Sequence, residues 1–317
     1  MYAENGGTSG ILEWVGANPE RACKTGVGIP MHALSTNCLY YHAYVLADSM
    51  ARELNLPVRE ADAGKAAALK TAINRHFWNP ATGCYRYLVD DFGNCEHQEG
   101  LGHSFALLFG VVDKNQAESV LQRQHRTSAG VPCVWPTFDR YAASGKNAFG
   151  RHSGTVWPHV QGFWAGAALA WDRPDLFEYE LQRLARHACR DSQFTEIYHP
   201  ETGLIYGGAQ EDVGKGIREW ASCRRQTWSA TAFLRMVLTG LCGMRFETGG
   251  LRFKPCVPAT CGELRLKGLA YRSMVLDISI SGTGAEIAEI TLNGRRPETA
   301  FLPAETSGDV RVAIKLA

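Results

Sequence analysis

The chain has 317 residues, 45% of them hydrophobic and 21% charged, with 33 Lys and Arg against 32 Asp and Glu for a formal charge of +1. These are the proportions of an ordinary globular protein, long enough for one large core plus a smaller domain. With no basic block, neither nucleic acid nor an anionic membrane has a sequence basis as a partner.

No apolar run reaches the roughly 18 residues of a membrane span, and the N-terminus lacks a basic region followed by a hydrophobic one. As it stands the chain reads as cytoplasmic, with a periplasmic or secreted location open if a signal peptide lies upstream. The ten cysteines show no Cys-x-x-Cys and no zinc-type Cys/His spacing, so no structural metal is expected and most should be small buried hydrophobes. Cys84 with Cys95 and Cys256 with Cys261 would be bridged only if each pair closed a hairpin. Met1-Tyr2-Ala3-Glu4-Asn5-Gly6-Gly7-Thr8-Ser9-Gly10 reads as a polar interior loop, which suggests the C-terminal part of a longer protein.

Ser9-Gly10-Ile11-Leu12-Glu13-Trp14 then places a carboxylate beside an indole, a pairing that suits a sugar site: the aromatic face stacks on pyranose C–H groups and the carboxylate handles hydroxyls or protons. A surface Glu next to a half-buried Trp is the plainer reading. From Thr36 to Leu54, Leu39, Tyr40, Ala43, Leu46, Ala47 and Met50 recur at helical spacing, with Ser35 as N-cap. A second helix is predicted from about Arg59 to Phe77 with Ala66, Leu69, Ala72, Ile73 and Phe77 on one side. The link Asn55-Leu56-Pro57-Val58 is short, so the two should form a hairpin.

Cys84 to Val89 alternates as a strand, and Asp90-Asp91-Phe92-Gly93 is a turn. Glu99 stands on the loop entering a short apolar helix, His103 to Gly110; it is either a second functional carboxylate or a helix-start charge. An amphipathic helix follows near Lys114 to Gln124, and Val131 to Thr137 is extended. Pro158 opens a helix to about Trp171 whose Gly162, Ala165, Gly166, Ala167 and Ala168 call for close approach by a neighbouring helix. Another helix runs from about Pro174 to Arg190.

Next comes Phe194-Thr195-Glu196-Ile197-Tyr198-His199-Pro200-Glu201-Thr202-Gly203-Leu204-Ile205-Tyr206-Gly207-Gly208, a polar, Gly-rich loop with a carboxylate between aromatic residues. Glu211 and Glu219 are further acids of the same long connection, and either is an alternative to Glu196 as a functional carboxylate if the register of the loop is shifted. Gln226-Thr227-Trp228-Ser229-Ala230 begins an apolar helix ending near Gly240. Beyond Gly243, Leu264 to Leu266, Met274 to Ile280, Ile287 to Leu292 and Val310 to Leu316 read as strands, with Asn293-Gly294 as the clearest turn. The expected domains are 1–245, helical, and 246–317, a small sandwich-like antiparallel β-domain.

Helical hairpins joined alternately by short turns and long loops suggest an α/α toroid. Its long loops (9 to 20, 90 to 102, 138 to 156, 191 to 219) would converge on one mouth as a polar cleft.

Gly154-Thr155-Val156-Trp157-Pro158, Thr195-Glu196-Ile197-Tyr198 with Gly207-Gly208, the Gln226-Thr227-Trp228-Ser229 helix start and the trailing β-domain together resemble the six-hairpin, (α/α)6-toroid glycosidases. The texture is nearest to glycoside hydrolase family 63 and mannosylglycerate-hydrolase-like enzymes, with trehalases, α-L-rhamnosidases and glycogen-debranching proteins as relatives. The resemblance implies a mainly α fold, a partial (α/α)6 toroid followed by the β-domain, that cleaves an α-linked glycoside by inversion. In trehalases a Glu before a Lys-Tyr pair is the general base; the matching position is Glu196, with Ile197 in place of the Lys and Tyr198 retained. Their general acid lies in a Ser-Gly-x-x-Asp-like segment, which matches Glu13 with Glu for Asp; Glu99 is the second choice.

Trp14, Trp157, Tyr198 and Trp228 are the candidates for sugar stacking, and Arg151, His152 and Gln226 for hydroxyl contacts. Packing competes with each of these roles, and for Trp228, inside an apolar helix, a core position is the simpler reading. His159, one turn into its helix, reads as a satisfied structural histidine, and Arg224 and Arg225 as solvent-exposed.

No cofactor is called for, and the implied partner is an oligosaccharide or small glycoside. The family's toroid has twelve helices and about seven are counted here, so the first helices should belong to a missing N-terminal part of the same protein. A carbohydrate-binding protein of this fold without catalysis, and a phosphorolytic enzyme of this fold, are the alternatives.

Overall fold

The computed structural model describes residues 1–2, 4–6, 29–57, 60–90, 93–142, 149–212 and 216–317. Its principal helices are α1 Leu34–Glu53, α2 Glu60–Phe77, α3 Gly100–Leu108, α4 Lys114–Arg123, α5 Pro158–Ala170, α6 Pro174–Asp191 and α7 Thr227–Arg235. Each falls within a few residues of the helix that periodicity and turn chemistry predict. Among the described residues no helix is long and apolar enough to cross a membrane.

Contacts run in series from α1 to α3, α3 to α5 and α5 to α7, while α2 packs on α1 and α6 on α5. Helices α3 and α5 are apolar and buried over most of their length, as expected for elements flanked on several sides. The small residues of α5 act as predicted. A Cβ on Gly162 would stand 2.8 Å from the Cβ of Ala232 on α7, so the two backbones are in direct contact there.

Two details of α1 differ from expectation. Ser35 lies inside its first turn, the N-cap position is Ala33 without a side-chain cap, and the Ser35 N–H goes instead to the Glu99 carboxylate at 3.1 Å. The predicted apolar face is also turned outward: Leu39, Leu46 and Met50 are 48%, 47% and 61% exposed. Neighbours α2 and α3 take the other side, where Leu34, Asn37 and Cys38 are buried.

The extended segments are short. Cys84–Tyr85 pairs with Trp78–Asn79, Leu88–Asp90 with Gly93–Cys95 and Ile29–Ala33, and Gln98–Glu99 with Val134–Trp135. Cys84, Cys95, Cys256 and Cys261 are free thiols, so neither conditional bridge forms.

At the C-terminal end, one sheet has Gly250–Phe253 between Met244–Glu247 and Phe301–Pro303; the other runs Leu264–Tyr271, Met274–Ser281, Gly308–Leu316, Ile287–Leu292. Their inward residues, from Leu251 and Phe253 to Ile278, Val312 and Ile314, form one core. The expected all-antiparallel arrangement fails at one pair: Met274–Ser281 and Gly308–Leu316 are parallel. The chain crosses to the first sheet at Phe301–Pro303 and returns in the direction of Met274–Ser281, which a hairpin connection would not allow. Asn293 and Gly294, both at positive φ, make the predicted tight turn closed by Leu292 and Arg295.

Glu180 on α6 is a buried carboxyl that ties α6 to the segment before Trp135. Its oxygens accept from the Val131 N–H at 3.1 and 3.2 Å and from Gln161 Nε2 at 2.9 Å. Burial pushes its pKa from 4.5 up to about 7 against the pull of these donors. The folded state therefore holds this proton more tightly than the unfolded chain. Its contribution to stability is full below about pH 4.5 and is lost as pH rises through about 7. Burial pushes the pKa of His159 and His187 down to about 4, and these groups act in the opposite direction over the same range. The test is therefore a difference: in urea unfolding from pH 4.5 to 7.5 the stability of the parent protein relative to Glu180→Gln should decline. In the same assay Ile73→Ala, at a fully buried site, should cost about 2–5 kcal/mol, and Met50→Gln on the exposed stripe should stay within about 0.5 kcal/mol.

Candidate active site

Three chain segments meet around Glu196. The backbone of Tyr198 exchanges hydrogen bonds with Val156, and Tyr198 also bridges to Ile205. Glu196 N–H donates to the Cys223 carbonyl at 2.9 Å, and Gln226 N–H to that of Phe194 at 2.8 Å. The acidic loop is thus laid between the entry to α5 and the entry to α7.

Arg151 joins these segments. Its N–H donates to the Ala209 carbonyl at 2.8 Å, and its own carbonyl accepts from Thr155 Oγ1 at 2.6 Å and Trp157 Nε1 at 2.8 Å. Its side chain donates through Nη1 to the Gly207 carbonyl at 2.8 Å and through Nη2 to Glu196 Oε2 at 2.7 Å. Gly207 and Gly208 are what make this possible. A Cβ at Gly207 would fall 1.4 Å from the Trp220 carbonyl oxygen, and one at Gly208, where φ is +79°, would fall 2.4 Å from the Arg151 Cα.

The Glu196 side chain is almost wholly buried, and the Cys223 N–H donates to the same Oε2 at 3.0 Å. Both donors therefore act on one oxygen, and Oε1 has no partner among the described residues. Cys223 acts here through its backbone, which no side-chain motif announces.

Around this pair stand aromatic rings. His152 stacks on Trp157 with centroids 4.8 Å apart and planes at 16°, and the Arg151 guanidinium lies 5.6 Å from the same ring. Trp228 is 5.9 Å from Trp157, and His159 is 5.6 Å from each of the two indoles. Two cavities open here. One, of 360 Å³, is lined by residues including Glu99, Tyr87, His152, Trp157, His159 and Trp228. The other, of 410 Å³, lies between α5 and α7 and is lined by residues including His159, Phe163, Gln226, Trp228, Thr231 and Arg235. A larger groove, 840 Å³, lies over the C-terminal sheet among Glu263, Arg265, Asp277 and Arg311, away from these aromatic rings.

Arg151, His152, Trp157, Glu196, Gln226 and Trp228 are therefore brought to one region, with Glu99 on the wall of the first cavity. Glu13 and Trp14 lie outside the described residues. Tyr198 is a correction: it is fully buried against His187, centroids 4.4 Å apart, and offers no face to a sugar. Trp228 is the opposite case. It is 44% exposed and lines both cavities, whereas its apolar helix suggested a core position. Trp157 is mostly covered, by His152 on one face. Gln226 caps α7 by accepting from the Thr227 N–H at 3.0 Å. Glu99 stands at the N-cap position of α3 without a side-chain cap there, and its carboxylate accepts instead from the Ser35 N–H at the start of α1. Arg224 and Arg225 are exposed, as is Glu219.

The model of the mannosylglycerate hydrolase MGH1-like glycoside hydrolase domain matches residues 8–229. Among proteins of curated function, none matches at a significant level. Solved structures similar to the chain include a sialidase, at TM-score 0.66 and 14% identity over 86% of this chain and 26% of that one. A GH63 mannosylglycerate hydrolase from Thermus thermophilus, in complex with Tris and D-glycerate, is similar at TM-score 0.52 and 16% identity over 69% of this chain and 49% of that one. At these identities the likeness is one of fold, and the chain spans about half or less of these structures' lengths.

The Arg151–Glu196 pair gives a direct expectation. Arg151→Met leaves a buried carboxylate without its counter-charge and should destabilise the protein by about 3–5 kcal/mol, with much of the loss recovered in Arg151→Met/Glu196→Gln. Denaturant unfolding of the four proteins in the cycle measures it.

Proposed function

The chain belongs to the mannosylglycerate hydrolase MGH1-like glycoside hydrolase family, and from that premise we propose that it cleaves an α-linked glycoside by an inverting, two-carboxylate mechanism. The α1–α3–α5–α7 series with its outer partners is read as part of an (α/α)6 toroid, with residues 1–245 as the catalytic domain and 246–317 as the β-domain.

Inversion needs one carboxyl to protonate the leaving oxygen and a carboxylate on the other face of the sugar to take a proton from water. The observation that supports Glu196 as base is the arrangement of its donors. Arg151 and the Cys223 N–H both hold Oε2, so the carboxylate is oriented through one oxygen and Oε1 is left to accept from a water. Glu13 is assigned as the acid and Glu99 as its alternate; Glu99 shares a cavity with His152, Trp157 and Trp228. Trp228 provides the exposed aromatic face for the sugar, with Arg151, His152 and Gln226 around it. A small glycoside or oligosaccharide is the substrate class.

Hydrolysis of a panel of α-glycosides tests this. Glu196→Gln should lower kcat by about 10²–10⁴-fold, and retained activity would remove Glu196 from the base role. Proton NMR of the first product should show the anomer opposite to that of the substrate; the same anomer would exclude inversion.

A further inference from the structure

His159 is the second residue of α5, directly after Pro158, so the helix start fixes its position. With Trp228 it lines both cavities and stands at their junction. Its ring meets Trp157 edge-on, at 88°, and lies tilted against Trp228 at 46°.

Among the described residues neither ring nitrogen has a hydrogen-bond partner, and Nδ1 is buried. By contrast, His103 meets Gln124 Oε1 and the Tyr85 carbonyl, and His199 Nδ1 accepts from the N–H groups of Glu201 and Thr202. His187 also has an unpartnered Nδ1, but it packs under Tyr198 and against Gly203, lining neither cavity. Burial, reinforced by His152, pushes the His159 pKa down to about 4 although Glu196 pulls the other way. The ring is therefore uncharged near neutral pH, with one N–H to donate and one nitrogen to accept. That pair of capacities is what a sugar hydroxyl, itself donor and acceptor, satisfies.

We propose that His159 is a specificity-determining contact: its imidazole exchanges hydrogen bonds with a hydroxyl of a sugar held across the junction of the two cavities, while Trp228 packs on the sugar's C–H face. This deepens the glycosidase reading and rests on it for the substrate class. Discrimination of this kind is strong because a polar group positioned for a hydroxyl is left unpaired by an analogue that lacks it.

The test uses His159→Phe, which keeps an aromatic ring between the two indoles and removes both nitrogens, and His159→Gln, which returns one donor and one acceptor. The probes are methyl α-D-mannoside, methyl α-D-glucoside and their single-deoxy analogues, each titrated by tryptophan fluorescence; α-glycoside hydrolysis is measured in parallel. For the bound parent glycoside, His159→Phe should weaken binding and raise KM about tenfold or more with kcat changed much less, and His159→Gln should recover part of the loss. Binding of the analogue lacking the contacted hydroxyl should be nearly the same in parent and variant. Equal losses for the parent glycoside and every deoxy analogue, unchanged binding in His159→Phe, or no sugar binding by the unaltered protein would each overturn the proposal. Absence of hydrolysis with saturable binding that depends on His159 would overturn the glycosidase reading alone.

Discussion

The arrangement of the candidate site depends on Arg151. A buried carboxylate is expensive unless it is paired and hydrogen-bonded, and Arg151 meets that requirement for Glu196 while its own backbone fastens three other places in the chain. The same residue that balances the charge also holds the Trp157 indole through its carbonyl and the Gly207 turn through its guanidinium. Position and charge at Glu196 are thus set by one connected set of bonds around Arg151.

Around this hub the polar and aromatic parts divide their roles. Trp157 is mostly covered and serves as scaffold, with His152 on one face and His159 at its edge. Trp228 remains open to both cavities. Gln226, beside it, is occupied in starting α7. The distinction between aromatic rings that hold the site and the one that faces outward follows from which helix each begins or rides upon.

Much of the helical framework was legible from the sequence because periodicity and turn chemistry are local. The Pro158 start, the small residues of α5 and the Asn293-Gly294 turn are all statements about neighbouring residues, and the structure bears them out. What escaped depended on distant segments. Ser35 gives its N–H to Glu99, 64 residues away, so no local cap rule finds it. The periodic face of α1 is real, but which side of the helix meets α2 and α3 is decided by packing. The parallel strand pair arises from a crossover between sheets that strand patterns do not encode. Within the site, loop composition singled out Glu196 and its aromatic neighbours. It could not separate the buried Tyr198 from the exposed Trp228, because covering depends on distant segments: Tyr198 lies in a polar loop yet packs against His187, and Trp228 begins an apolar helix yet opens to both cavities. His159 was misjudged for the same reason: position in a helix says nothing of whether a nitrogen finds a partner.

The crossing of Gly207 with the Trp220 carbonyl bears on how such a site can diverge. Two chain segments there are separated by little more than backbone thickness, so the loop cannot be re-aimed by changing a side chain at the crossing. New substrate preferences would have to arise among residues facing open space, such as Trp228 and Thr231 on α7, while the carboxylate and its arginine keep their places. The architecture separates an invariable anchor from an adjustable rim, and chemistry can persist while recognition drifts.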